Sequence, residues 1–68
     1  MSDYQRQEAG ARARYLARCA RARAEWAASD RTPAAADRYA DACEEASARY
    51  HAACDLAWQA ARRDRVTA

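Results

Sequence analysis

Ser29-Asp30-Arg31-Thr32-Pro33 is the stretch that decides the fold of this 68-residue chain. Thr32 is a good helix N-cap, because its hydroxyl can accept from a backbone N–H of the first turn. Pro33 suits the first helical position, where its missing N–H costs nothing. Upstream, Ser2 and Asp3 supply another cap and a negative charge for the helix dipole. Between them and Ala28 only Gly10 weakens a helix, by about 1 kcal/mol against alanine. Downstream of Pro33 there is no further glycine or proline. The chain therefore reads as one domain, 1–68. It has a helix over about 3–28, a turn at 29–32, a helix over about 33–63 and a frayed tail at 64–68. A short link between two long helices predicts an all-α fold, an antiparallel two-helix hairpin.

Composition agrees with helix and excludes much else. Alanine fills 22 positions and arginine 12, while lysine, phenylalanine and isoleucine are absent. Strands need β-branched and aromatic residues in alternation, and these are missing. No apolar run approaches the roughly 20 residues that cross a bilayer, so no membrane role is expected. No basic segment followed by an apolar one opens the chain, so the expected location is cytoplasmic, with reduced thiols. Alanine and arginine both use GC-rich codons, which points to a bacterial or phage genome of that bias. No internal repeat is read beyond the helical period.

The apolar positions fall on stripes. Tyr4, Ala11, Tyr15, Cys19, Ala22 and Trp26 share one face of the first helix. Tyr39, Cys43, Ala46, Tyr50, Cys54, Ala57 and Ala61 share one face of the second, with Trp58 at its edge. Folding about the turn sets Tyr15 opposite Ala46 and Ser47, Tyr50 opposite Ala11 and Tyr39 opposite Ala22. It also sets Trp26 opposite Ala36, Trp58 opposite Tyr4 and Cys19 opposite Cys43. Large residues then meet small ones. The same register sets Arg18 and Arg21 beside Glu44 and Asp41.

The first helix has a second apolar face: Ala9, Ala13, Leu16, Ala17, Ala20, Ala24 and Ala27. A hairpin gives each helix only one neighbour, and a chain this short stabilises itself poorly from one core. This face is expected to meet a second copy, making a homodimeric four-helix bundle. A partner helix from another protein would satisfy the same physics.

Candidate chemistry is sparse. Cys19 and Cys43 form a candidate thiol pair. Cys43 and Cys54, eleven residues apart on one helix, cannot share a metal within one chain. There is no CxxC, and buried cysteine is commonly a small hydrophobe. His51 has Asp55 one turn away, but no nucleophile, oxyanion donor or Gly-rich loop accompanies it. No catalytic, cofactor or metal residue is assigned, and the chain is read as a non-enzyme. Arg14, Arg18 and Arg21 form a ridge at i, i+4 and i+7 that could contact nucleic-acid phosphates. The tyrosines and tryptophans, at helical spacing, are read as core.

Residues 37–44, Asp37-Arg38-Tyr39-Ala40-Asp41-Ala42-Cys43-Glu44, resemble part of the second helix of the Rop family of plasmid copy-control RNA-binding hairpins. The likeness covers eight residues and implies a hairpin that dimerises into a four-helix bundle. The first helix, where that family contacts RNA, has no corresponding match, and no binding residue is carried over. The functional expectation is a small self-associating adaptor, regulator or assembly factor. A nucleic-acid-binding regulator is the alternative, and a thiol- or metal-binding helical protein comes third.

Overall fold

The computed structural model describes residues 2–67, with side-chain surroundings for residues 2–65. It holds two helices that pack against each other, α1 (Asp3–Ala28) and α2 (Pro33–Thr67). Each start has a local cause. Ser2 Oγ accepts from the Gln5 N–H at 3.1 Å, and Gln5 Oε1 accepts from the Ser2 N–H at 3.0 Å, a reciprocal capping box. Thr32 Oγ1 accepts from the Ala35 N–H at 3.2 Å. The tail expected to fray from residue 64 is helical as far as Thr67, and Ala68 lies outside the described residues. Residues 60–65 contain no helix breaker, and Arg65 in the last turn suits the negative end of the helix dipole.

The turn satisfies its own backbone. The Ser29 N–H and hydroxyl both donate to the Trp26 carbonyl, at 3.1 and 2.7 Å. Ser29 Oγ accepts from the Arg31 N–H at 3.1 Å, and Asp30 Oδ1 accepts from the Thr32 N–H at 3.2 Å. The Thr32 bonds hold the Asp30 carboxyl below the usual aspartate range. One residue bears strain: Arg31 has φ 57°, in the left-handed region that a Cβ disfavours.

The contact between the helices follows an eleven-residue repeat that the stripe reading did not recognise. Tyr4, Tyr15 and Trp26 recur at that interval on α1, as do Ala11 and Ala22. On α2 it relates Tyr39 to Tyr50, Cys43 to Cys54, and Ala35 to Ala46 and Ala57. Eleven residues make three turns of about 3.67 residues, close to the 3.6 of a straight helix. The stripes therefore stay face to face along the whole hairpin with little supercoiling.

Among the described residues, the buried core is Ala11, Ala22, Ala35, Ala46 and Ala57, each 1–5% exposed. These methyls let the backbones approach, and half-buried aromatic pairs close the seams. Tyr15 and Tyr50 have ring centroids 5.5 Å apart, Trp26 and Tyr39 6.0 Å, and Tyr4 and Trp58 6.1 Å edge to face. Tyr4 thus meets Trp58 as expected. Elsewhere aromatics meet aromatics at adjacent levels, Tyr15 with Tyr50 and Trp26 with Tyr39, where the stripes set each against small residues. Ala35, not Ala36, is the buried alanine beside the turn, because Ala36 has rotated one step further around α2.

The result is a ribbon one helix thick, with Cα extents of 55 × 18 × 6 Å. Each buried alanine methyl contributes only about 0.8 kcal/mol, so local terms weigh heavily. A Cβ on Gly10 would meet only the Arg14 guanidinium, at 3.5 Å, so the helix has room for it. Gly10→Ala should therefore stabilise the hairpin by about 1 kcal/mol. Arg31→Gly should add a similar amount, about 1 kcal/mol, by relieving the left-handed strain. Thermal denaturation followed by circular dichroism should show each variant melting roughly 4–8 °C higher.

Candidate functional site

A two-helix ribbon encloses no interior in which to build a site, so candidate sites are its outer faces. The α1 face directed away from α2 comes first. Ala9, Ala13, Leu16, Ala17, Ala20, Ala24 and Ala27 are all exposed, with Leu16 at 58%. At 100° per residue they fall on the side of α1 opposite Ala11, Tyr15 and Ala22. No described residue covers them.

The arginines divide. Arg14 is exposed, whereas Arg18 is half-buried beside the helix seam. Arg18, Arg21 and Glu25 of α1 line a groove of about 270 Å³ with Glu45 and Arg49 of α2. Its floor is Ala22, Ala42 and Ala46. A hollow of about 130 Å³ continues it toward the turn, past Glu25, Arg38 and Ser29. Arg14, Arg18 and Arg21 keep their i, i+4, i+7 spacing on α1, and the groove adds Arg49 and Arg38 from α2 beside Arg18 and Arg21. The expected pairing of Arg18 and Arg21 with Glu44 and Asp41 is not formed. Among the described residues the ion pairs Asp3–Arg6, Glu8–Arg12 and Glu45–Arg49 each lie within one helix. Asp41 and Glu44 project from the far side of α2, about half a turn away from α1, and cannot reach it.

One polar contact across the helices had no place in the sequence stripes. Glu8 Oε2 accepts from the Arg12 guanidinium at 2.6 Å, and Glu8 Oε1 accepts from the Tyr50 hydroxyl at 2.7 Å. The Arg12 and Tyr50 bonds hold the Glu8 carboxyl below the usual glutamate range. The same carboxylate, with Cys54 beside it, pushes the Tyr50 phenol well above its ordinary value. The eleven-residue repeat is the signal that could have found this residue: Glu8 occupies in the first repeat the position that Cys19 holds in the second.

The three cysteines are free and half-buried. Cys19, one turn on, holds the Tyr15 phenol above its ordinary value, with Cys43 a smaller contributor, so both thiols border the same aromatic layer. Among the described residues no three His, Cys, Asp or Glu side chains are grouped to hold a metal ion. His51 is exposed, its ring 5.7 Å from that of Tyr50, and Asp55 is exposed one turn on. No helix among the described residues is long and apolar enough to cross a membrane.

The Glu8–Tyr50 contact makes stability depend on pH at both ends. Glu8 has a depressed folded pKa, so its contribution is present above the unfolded value and lost as acid protonates the folded carboxylate. Tyr50 has a raised folded pKa, so its contribution is present below the ordinary tyrosine value, about 10, and lost in stronger alkali. Glu8→Gln and Tyr50→Phe should each lower the melting temperature at pH 7. The gap between wild type and Glu8→Gln should close as the pH falls through the Glu8 titration, below about 4. Thermal melts from pH 2 to 8 check this.

No family model, curated protein or solved structure matches this chain.

Proposed function

We propose that this protein works by association: a non-enzymatic helical hairpin that pairs with a second copy and serves as an adaptor, regulator or assembly factor. The observation that carries this reading is the exposed seven-residue apolar face of α1, uncovered from Ala9 to Ala27. Burying it repairs two deficits together. It removes methyl and Leu16 surface from water, and it supplements a core made of five alanines. Small residues on the face allow a neighbouring helix to approach closely. Two hairpins whose shared contact takes in this face give a homodimeric four-helix bundle. A cytoplasmic setting, where thiols stay reduced, suits the three free cysteines.

Light scattering across a concentration series tests the reading. The wild type should run at twice the chain mass at micromolar concentration. Ala20→Leu should disrupt the association more than the hairpin. Its mass should fall toward that of one chain while circular dichroism still reports helix. An unchanged oligomer mass in that variant would remove Ala20 from the interface.

A second reading is favoured by the groove. Arg18 and Arg21 have no ion-pair partner among the described residues, and Arg49 joins them from the other helix. Such a cluster suits nucleic-acid phosphates, against which Glu25 and Glu45 in the same groove count. Binding of duplex RNA or DNA should weaken steeply with salt. It should drop at least tenfold in the double variant Arg18→Ala/Arg21→Ala, measured by fluorescence anisotropy. Binding that ignores both salt and the arginines would remove this alternative.

A further inference from the structure

The two broad flanks of the ribbon differ in chemistry, and the difference points to where a second copy sits. A closed four-helix bundle needs each hairpin to present both of its helices on one flank, about a quarter-turn from their mutual contact. A face directly opposite α2 accommodates only one helix.

One flank is charged. It carries the groove with Arg18, Arg21, Glu25, Glu45 and Arg49. At 100° per residue, the other flank of α2 presents Ala36, Ala40, Ser47, His51 and Trp58. Cys43 and Cys54 lie between these residues and the core. From Ala36 to Trp58 this strip contains no carboxylate and no guanidinium. On α1 the same flank carries Cys19 and Leu16, and beyond Leu16 it passes into the apolar outer face. Two of the large exposed hydrophobics, Leu16 at 58% and Trp58 at 49%, stand on it. Arg12 and Arg23 stand between Cys19 and Leu16 on the α1 side, and Glu8 holds the Arg12 guanidinium at 2.6 Å.

Area separates the candidates. A ribbon 55 Å long and 18 Å wide on Cα atoms offers on the order of 1,000 Å² per flank, against about 800 Å² per partner in stable interfaces. The outer face of α1 alone, one helix about 10 Å wide, offers roughly half as much. A dimer seated on the flank reaches the required size, and one seated on the α1 stripe alone does not.

We infer that a second copy of this chain seats on the flank that carries Cys19, Cys43 and Cys54. Leu16 and Trp58 are its large apolar contacts, and the outer face of α1 is its margin. This rests on the self-association proposed above and specifies the surface that performs it. Dimerisation then turns three half-buried thiols into interior ones, and the charged groove remains on the outside of the bundle.

The test combines mass with thiol reactivity. At concentrations where light scattering reports a dimer, Ellman's reagent should react with the wild-type thiols at least tenfold more slowly than in protein diluted to the monomer. Ala40→Glu or His51→Glu, each placing a carboxylate on the flank, should give a monomer mass. Leu56→Glu, an equally exposed site on the charged flank (67%), should leave the dimer intact. Where Ala40→Glu also loses helix by circular dichroism, the wild-type thiol rates decide. A wild-type dimer whose thiols react as fast as the diluted chain overturns the flank assignment and leaves self-association standing. So does a dimer that survives both flank carboxylates and is lost in Leu56→Glu. A single-chain mass at every concentration overturns both proposals.

Discussion

Close approach of two alanine-lined helices is the interaction on which the rest of the molecule depends. Ala11 and Ala22 of α1 and Ala35, Ala46 and Ala57 of α2 are the side chains small enough to be fully enclosed between two rods. Any larger residue at these positions would push the backbones apart and open the aromatic seams that Tyr15–Tyr50 and Trp26–Tyr39 close. Alanine buys proximity at the cost of buried area. A core of methyl groups contributes little, so capping, turn bonding and the Glu8–Tyr50 contact carry unusual weight in this chain.

The same thinness explains why the surfaces dominate. A sheet of two helices, 6 Å thick on Cα atoms, has an outside on every side. Its faces are chemically distinct. One flank holds a groove of arginines and glutamates, the opposite flank of α2 is uncharged, the outer side of α1 is apolar, and that of α2 carries Asp37, Asp41, Glu44 and Asp55. Among associating proteins such a division sets which side is buried and which is left to water.

Glu8 illustrates how a polar residue can sit within a contact stripe and be useful there. Its two carboxylate oxygens have separate donors, one on its own helix and one on the other. A half-buried charge with both oxygens engaged escapes most of the penalty of leaving water. It also works for only one alignment of the helices, since a shift of one turn would leave the Tyr50 hydroxyl without its acceptor. It therefore ties register to composition in a way the alanines, being interchangeable, do not.

The linear order of residues determined the helices and where the chain doubles back. Ser2 and Thr32 as caps, Pro33 at a first turn and the lack of other breakers act over a few residues, and such local terms are legible without a fold. The aromatic and alanine stripes were legible for the same reason. Their eleven-residue spacing was on the page too, but shorter spacings of three and four masked it. Packing decided what a helical wheel leaves to within a residue or two: Ala35 inward and Ala36 outward, aromatics on aromatics, Glu45 rather than Glu44 toward the arginines. It also set Arg18 and Arg21 beside a groove that Arg49 of the other helix shares. Those outcomes depend on the distance and rotation between two helices. These quantities are properties of neither helix alone and arise only when both are in contact.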